Sequence, residues 1–300
     1  MNHLRITQNE LAALCDVSQG TVDRALNGRG EISKATKERI LATAKKYGFR
    51  PSKGNSKSER TKNIGLILFD LNNEFFAELI TEIELSAAKE GYLITVMFTH
   101  YSEERENECI RRLYSSGVDA IIISSVQNSK EFITFLGQLD IPVIALGNKI
   151  EGVPFVGADD FKAMFDLTKY VSERYCNIVY YSPALVYENA FAQKLRYDGF
   201  KEAVKGKEYT LVTKAEELKE GYKKGTAVIC STDLYAMYTL THVNCDAVFG
   251  FDNIRILERL KLPVSSVYVD TKAVAEKTIE LIKTGEKKEI IIPHKFAIRK

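Results

Sequence analysis

The chain has 300 residues, 45% of them hydrophobic and 27% charged, which suits two or three globular domains and excludes a fibrous or largely disordered protein. No apolar run approaches the roughly 20 residues that cross a bilayer. The first residues, "MNHLRITQNE", lack the apolar core of a secretory signal, so we expect a cytoplasmic protein.

The formal net charge of +2 hides an asymmetry along the chain. Residues 1–62 contain 13 Lys and Arg against 6 Asp and Glu, a balance of +7, whereas the remainder contains 29 against 34, a balance of −5. A small basic segment on a mildly acidic body predicts that the N-terminal part of the chain contacts a polyanion such as DNA.

The five cysteines stand apart from one another and from the four histidines, with no CxxC pair. We therefore expect isolated buried thiols, with neither a metal site, a disulfide framework nor a cofactor. The sequence also lacks a glycine-rich phosphate loop, a G-x-S-x-G elbow and an H-E-x-x-H pattern, so nothing in it indicates an enzyme.

The N-terminal segment has the pattern of three short helices. Thr7 caps a first helix that ends near Asp16, a short polar residue able to turn the chain in a left-handed conformation. Ser18 caps a second helix, Gln19 to Leu26, and Ser33 begins a third. Two short helices joined by a tight turn are typical of a helix-turn-helix.

The stretch "TQNELAALCDVSQGTVDRALNGRGEISKATKERILATAKKYGFRPS" resembles the headpiece of the lac-repressor (LacI/GalR) family of bacterial transcription regulators. The resemblance implies a homodimeric DNA-binding protein on a roughly two-fold-symmetric operator, and we expect a repressor. A structural or protein-binding helical hairpin is the alternative interpretation. The matching positions, in chain order, are Leu11-Ala12, Val17-Ser18, Thr21-Val22, Asn27, Thr36, Arg39-Ile40, Gly48-Phe49 and Pro51.

The resemblance places the second helix in the major groove, with Gln19, Gly20 and Arg24 facing the bases. Gln can pair with adenine and Arg with guanine, whereas Gly20 offers no side chain. Asp23 stands where the family usually has a small hydroxyl residue; it is either solvated or ion-paired, or it accepts from cytosine N4. The expected DNA-binding residues are Thr7, Ser18, Gln19, Gly20, Thr21, Asp23, Arg24, Asn27 and Arg29.

Residues 51–62, "PSKGNSKSERTK", are polar and basic and include no large apolar side chain. Family members commonly carry here a hinge helix that wedges a leucine into the minor groove. This stretch is shorter, and Ser58 stands about where that leucine would be. We therefore interpret it as a flexible linker after a headpiece of residues 1–50.

From residue 63 to 300, strand and helix patterns alternate. Runs of buried-strand type are separated by helical stretches near 73–91, 103–116 and 129–138. The predicted fold class is α/β, with a three-helix helix-turn-helix headpiece and a two-lobed, doubly wound parallel-sheet domain. The strand runs are "NIGLILF", "YLITVMF", "VDAIIIS" and "IPVIAL", then, after "PFVGADD", "CNIVYYS", "EYTLV", "TAVICS", "DAVFGFD", "SSVYVD" and "EIIIPHKFAIR".

This body resembles the periplasmic-binding-protein-like domain that binds the effector in the same family. The landmarks are "FDLNNEFFAEL", "IPVIALGNK", "VGADD", "LRYDGFKEAV", "STDLYAM" and "VFGFD". We expect a first lobe of about 63–160 plus 271–286 and a second of about 161–270 plus 287–300. A ligand would lie between the carboxyl ends of both sheets, and the resemblance implies a sugar or related metabolite.

In such domains aromatic rings cover the apolar face of a sugar and polar side chains hold its hydroxyls. The alternative role for the aromatic rings here is core packing. The alternative for the polar side chains is a surface position or helix capping. Several positions depart from the ribose-type pattern: Gly147, Asn148 and Lys149 replace an Asp-Arg pair, Thr232 an asparagine and Val269 a glutamine. The expected ligand-binding residues are Asn73, Phe75, Phe76, Asn148, Lys149, Arg196, Thr232 and Asp252.

Three rival functions stay open at this point. A plain solute-binding protein is opposed by the basic N-terminal segment, and an enzyme on the same scaffold by the missing catalytic motifs. A regulator with no small-molecule ligand, or one controlled by a protein partner, is favoured by the departures in the pocket. The segment "DLYAMYTLTHVNC" leaves room for only one short helix, in a region that often contributes to subunit packing in the family.

Overall fold

The computed structural model describes residues 8–27, 32–47, 49 and 62–299 of the chain. These residues form three N-terminal helices and two six-stranded sheets flanked by helices. The α/β class with two predominantly parallel sheets is therefore confirmed. The predicted linker, except for Lys62, lies outside the described residues.

The second and third N-terminal helices begin where the sequence places their caps, and the cap predicted for the first helix, Thr7, lies outside the described residues. The hydroxyl oxygen of Ser18 accepts a hydrogen bond from the Thr21 amide at 3.2 Å, and that of Ser33 accepts from the Thr36 amide at 3.1 Å. Asp16, between the first two helices, has φ 47°, the left-handed turn that its position predicts. The helices are α1 (Gln8–Leu14), α2 (Gln19–Asn27) and α3 (Lys34–Lys46).

A small apolar core joins these three helices. Val17, Leu26, Ile32 and Phe49 pack against it, whereas Leu14, Leu41 and Tyr47 are exposed. The polar side chains of α2 are left for contacts outside the headpiece. The buried members are Leu11, Ala12, Cys15, Val22, Ala25, Ile40 and Ala44.

The body begins with a strand-helix alternation that the apolar runs predict. Its first elements are β1 (Asn63–Leu68), α4 (Glu74–Lys89), β2 (Leu93–Phe98), α5 (Glu103–Ser116), β3 (Ala120–Ile123), α6 (Lys130–Gly137), β4 (Val143–Leu146) and β5 (Phe155–Gly157). The elements that follow are α7 (Asp160–Ser172), β6 (Asn177–Tyr181), α8 (Phe191–Ala203), β7 (Thr210–Val212), β8 (Thr226–Cys230), α9 (Asp233–His242), β9 (Ala247–Phe251), α10 (Arg255–Arg259), β10 (Val264–Val269), α11 (Thr271–Thr284), β11 (Glu289–Ile291) and β12 (His294–Ala297).

The strands assemble into two separate sheets. The first has the order β11-β5-β4-β3-β1-β2, with parallel pairing throughout. The second has the order β12-β10-β9-β8-β6-β7, with only β12 antiparallel to its neighbour. Helices cover both faces of each sheet, which buries strands such as β3 and β8 completely.

Two details differ from the sequence-based expectation. The run "EIIIPHKFAIR" forms two strands instead of one: β11 pairs with β5 of the first sheet and β12 with β10 of the second. Pro293 lies between them, and its missing N–H and fixed φ end the first strand. The return to the second lobe therefore falls after β11 and not at residue 287. The three-residue strand β5 was not predicted, because it is too short to show a pattern.

Helices α7 and α8 pack at unusually close range, and this contact positions the first half of α8. A Cβ atom on Gly199 would lie 2.1 Å from the carbonyl oxygen of Phe161, so only glycine fits there. The close approach holds Arg196, one turn earlier on α8, below the carboxyl ends of the second sheet's strands.

The cysteines are free, but their burial differs from the expectation at two positions, Cys176 and the half-buried Cys245. Cys15, Cys109 and Cys230 are buried, whereas Cys176 is exposed because it lies in the turn before β6. Among the described residues, no His, Cys, Asp and Glu side chains cluster as metal ligands do. None of the helices in those residues is both long and apolar enough for a membrane span.

Candidate functional site

The outward side of α2 carries most of the residues expected to contact DNA. Ser18, Gln19, Gly20 and Arg24 are exposed, and Thr21 is half-buried. The Arg24 guanidinium folds back onto its own helix, where Nε donates to the Gly20 carbonyl oxygen at 3.1 Å and Nη2 to the Thr21 hydroxyl at 3.5 Å. Both bonds are solvent-exposed, so a base could replace them at small cost.

The remaining expected DNA-binding residues divide into two groups. Asp23 is half-buried on α2 and Asn27 is the last residue of that helix. Thr7 and Arg29 lie outside the described residues. The assignment of all nine residues to DNA contact stays a prediction.

A second group of polar side chains meets between the two lobes, at the carboxyl ends of both sets of strands. Asn73, after β1, donates from Nδ2 to Oδ2 of Asp252, after β9, at 2.8 Å. The same asparagine caps α4, since its Oδ1 accepts from the Phe75 amide at 3.1 Å. One residue of the first lobe is thus fixed by its own helix and bonded to the second lobe.

Arg196 lies beneath this contact and is 9% exposed. Its Nε donates to Asp160 Oδ1 at 2.7 Å, Nη1 donates to the Ser231 carbonyl oxygen at 2.7 Å, and Nη2 lies 3.6 Å from Asp252 Oδ1. The guanidinium also lies 3.5 Å from the ring centroid of Phe251. We name Asn73, Asp160, Arg196 and Asp252 the interlobe site.

Burial and charge set the protonation of these groups. Burial raises the pKa of the Asp252 carboxyl to about 6, although Arg196 and the hydrogen bond from Asn73 act to lower it. Burial acts to lower the pKa of the Arg196 guanidinium, but Asp160 and Asp252 together raise it, so the cation persists.

The backbone that presents Asp252 is strained. Asp252 and Asn253 have φ 108° and 54°, in the left-handed region, which costs roughly 1–3 kcal/mol per residue. Asp233 offsets this cost, because its Oδ2 accepts from the Ile254 amide at 2.9 Å and its Oδ1 accepts from the Ser266 hydroxyl at 2.7 Å. Burial raises the pKa of the Asp233 carboxyl to about 8. Neither Asp233 nor Ser266 was among the expected site residues.

Phe75 and Phe76 begin α4 and are half-buried. Their rings pack edge to face, with centroids 5.4 Å apart. Phe75 packs against apolar clusters of both lobes, whereas Phe76 packs against the first lobe only. The structure therefore places Phe75 at the seam between the lobes and Phe76 beside it, which suits either core packing or a ring surface for a ligand.

The three other expected ligand residues lie in different surroundings. Asn148 is buried and also crosses the seam: Nδ2 donates to the Ser125 carbonyl oxygen at 2.7 Å, and Oδ1 accepts from the Ala192 amide at 3.2 Å. Lys149 is exposed and lies apart, its Nζ 2.6 Å from Glu289 of the edge strand β11. Thr232 caps α9 and is 7% exposed.

Asp160 is the main site residue that the sequence did not identify. It lies in the landmark "VGADD", next to the α7 cap Asp159, and two adjacent acidic residues there suggest helix capping. Its role as the partner of Arg196, 36 residues further on, depends on how α7 and α8 pack. The acidic residue before an apolar helix was the available signal, but it does not distinguish a cap from an ion pair.

Two family models match the chain and together cover almost all of it. Residues 61–300 match the model described as periplasmic binding proteins and sugar binding domain of LacI family. Residues 7–52 match the model of bacterial regulatory proteins of the lacI family.

Individual relatives agree with these matches. Catabolite control protein A of Priestia megaterium is 26% identical, over 99% of both chains. A LacI transcriptional regulator from Alkaliphilus metalliredigens, solved with D-xylulofuranose, is 24% identical over 80% of this chain and 98% of its own, with a TM-score of 0.66. The Cra regulator of Pseudomonas putida, solved with fructose 1-phosphate, is 18% identical over 80% and 99%, with a TM-score of 0.68.

The headpiece match and the match to the two-lobed body occur in the order that the sequence predicts. The relatives are transcriptional regulators, and the two solved structures share the two-lobed fold. The chain belongs to the LacI family of bacterial regulatory proteins and is a DNA-binding transcriptional regulator with an effector domain.

Proposed function

We propose that the protein is a cytoplasmic homodimeric repressor whose operator affinity is controlled by a sugar or related metabolite between its two lobes, and that it is not an enzyme. The observation that carries the effector part is the Asn73–Asp252 hydrogen bond. It joins the carboxyl ends of strands from both sheets at a buried cation, so a ligand that contacts this site contacts both lobes. Such a ligand changes the lobe arrangement through its differential affinity for two arrangements.

The operator part depends on the exposed side of α2. Gln19 and Arg24 offer the two side chains that best read adenine and guanine, and the bonds of Arg24 within the described residues are exposed ones to its own helix. A dimer places two such helices about one helical turn of DNA apart, or a multiple of it.

Selection of random duplexes by the purified full chain tests this part. We expect a two-fold-symmetric consensus, and the selected complex should have the mass of a dimer. Arg24→Ala should weaken binding by about 1–3 kcal/mol and relax one base position in each half-site. Lys37→Ala removes the same charge from the exposed side of α3 and is the matched control. An equal loss on every sequence for Arg24→Ala would contradict base reading.

The effector part is tested by thermal shift of the full chain against a panel of sugars and related metabolites. A ligand that binds only the folded state raises Tm by mass action. Asn73→Ala should abolish the shift, measured from the variant's own ligand-free Tm. Asn72→Ala is the control, because that neighbouring side chain bonds Asp70 within the first lobe.

A regulator without a small-molecule ligand is the second candidate. It is favoured by Lys149, which pairs with Glu289, and by Asn148, whose amide is bonded at both ends. This candidate gains support if no compound in the panel raises Tm while sequence-specific DNA binding is intact.

A further inference from the structure

The balance of charge in and around the interlobe site is negative. Asp160, Asp233 and Asp252 are 5%, 0% and 8% exposed, and Arg196 is 9% exposed. Asp160 and Asp252 both face the buried cation of Arg196, whereas Asp233, which retains its proton near neutral pH, adds no charge. Each N–H side of that cation is engaged, by Asp160, by the Ser231 carbonyl oxygen and by Asp252.

Two other cations, Lys149 and Arg255, offer no replacement. Lys149 pairs with Glu289 at the outer edge of the first sheet, and Arg255 pairs with Glu78 at 3.1 Å. The amino ends of α4 and α9, which could attract an anion, are capped by the side chains of Asn73 and Thr232. An anionic group entering the site would lose its hydration without gaining a free cation.

Neutral hydrogen-bonding groups are present instead on the second sheet, and one of them, the Tyr180 phenol, interacts with Arg196. The hydroxyl oxygens of Tyr180, Ser182 and Ser231 are buried and have no hydrogen-bond partner in the described part of the chain. Tyr180 and Ser182 are two residues apart, so they share one face of the second sheet. Burial raises the pKa of the Tyr180 phenol, although the positive charge of Arg196 acts to lower it. The hydroxyl therefore keeps its proton.

Ser231 completes this group from the neighbouring strand. Its amide donates to the Tyr181 carbonyl oxygen at 3.1 Å, and its own carbonyl oxygen accepts from Arg196 at 2.7 Å. All three residues are fully buried, each with 0% of its surface exposed. A buried hydroxyl without a partner is costly, and a ligand hydroxyl can both donate to it and accept from it.

We propose that the effector is an uncharged, hydroxylated molecule and that the interlobe site discriminates against its phosphorylated and carboxylated forms. The inference depends on the proposed effector function. It separates this chain from the Cra regulator of Pseudomonas putida, which was solved with fructose 1-phosphate. The discrimination comes from repulsion by Asp160 and Asp252 and from the lack of a free buried cation in the described residues.

Calorimetric titration of the full chain with matched pairs tests the proposal. The pairs are fructose with fructose 1-phosphate, ribose with ribose 5-phosphate and glucose with glucuronate, at constant ionic strength. We expect at least one neutral member to bind, and its charged partner to bind more weakly by a factor of about ten or greater. A charged member that binds as tightly as its neutral partner would overturn the proposal but leave an effector function standing. If no member of any pair binds, the effector function fails, and this proposal with it.

A variant pair identifies the cause of the discrimination. Asp252→Asn keeps the shape of the side chain and removes one negative charge. The affinity for the charged member should therefore increase about tenfold relative to the affinity for its neutral partner. Asp198→Asn is the control, because Asp198 is an exposed residue of α8 that pairs with Lys201. An unchanged preference in folded Asp252→Asn would contradict the electrostatic argument.

A second variant covers the case in which Asp252→Asn does not fold. Ser231→Ala removes one of the three buried hydroxyls and changes no charge. It should weaken the neutral member several-fold, since a hydrogen bond is lost. Unchanged binding of the neutral member would remove these hydroxyls from the recognition and overturn their part in the proposal.

Discussion

Removal of the buried cation at Arg196 gives the sharpest test of how the interlobe site is held together. Arg196→Met keeps much of the side-chain volume against Phe251 but leaves Asp160 and Asp252 without their cation. Breaking a buried ion pair from one side costs about 3–5 kcal/mol. We expect a loss of that size in the free energy of unfolding at pH 8.

The loss should depend on pH, and its sign follows from the two carboxyl groups. The charge of Arg196 lowers the pKa of both Asp160 and Asp252. Without it, their folded-state pKa values rise further above those of the unfolded chain, so the folded state binds the extra protons. Stability is then retained at low pH and lost as pH increases through the folded pKa values. The variant should therefore lose less at pH 5 than at pH 8.

Urea denaturation of the full chain, followed by circular dichroism at both pH values, measures this loss. Because the wild type also titrates, the comparison is the difference between variant and wild type at each pH. Adding Asp160→Asn and Asp252→Asn to Arg196→Met should restore much of the stability, since no charge is then left unpaired. An equal loss at both pH values, with no recovery in the neutral triple variant, would refute the electrostatic reasoning and assign the role of Arg196 to packing.

Three further changes have definite expected outcomes. Asp233→Asn should flatten the decrease in Tm between pH 5 and pH 8, because the folded Asp233, with a pKa of about 8, retains a proton that the unfolded chain releases. The Ser266 hydroxyl can still donate to the side-chain amide oxygen of the variant. A wild-type slope of Tm against pH in the variant would contradict the assignment. Gly199→Ala should cost about 1–3 kcal/mol in urea denaturation, whereas Gly137→Ala, whose Cβ meets nothing within 4 Å, should change stability by less than about 1 kcal/mol. Asp23→Asn should strengthen DNA binding on all duplexes alike in a filter-binding or anisotropy assay, because it removes a charge repelled by phosphates; loss of preference at one base pair would instead show that Asp23 reads cytosine.

The fold was predictable where the local pattern was strong. The apolar run of β3 and the Ser18 cap of α2 each specify their element without help from distant parts of the chain. Strand β5 is too short for a pattern, and the split of the last strand at Pro293 depends on which sheet each half joins. Tertiary packing decides these two features, and a local sequence pattern carries no information about it.

The candidate site was predictable only in part, for a similar reason. Asn73 and Asp252 follow strands directly, and the carboxyl ends of parallel strands mark the place where ligands bind in such sheets. Lys149 follows Asn148 directly, yet the two side chains lie in different places, one beside Glu289 and the other at the seam. Asp160 became recognisable only when the α7–α8 contact brought it to Arg196.

The division of the last strand between two sheets has a consequence for how the chain folds. Strand β11 completes the edge of the first sheet and β12 completes the edge of the second, only a few residues apart. During synthesis, both sheets therefore lack an edge strand until the same short segment leaves the ribosome. Neither lobe corresponds to one uninterrupted stretch of chain, so we expect the two lobes to gain their final stability together, as a single cooperative unit.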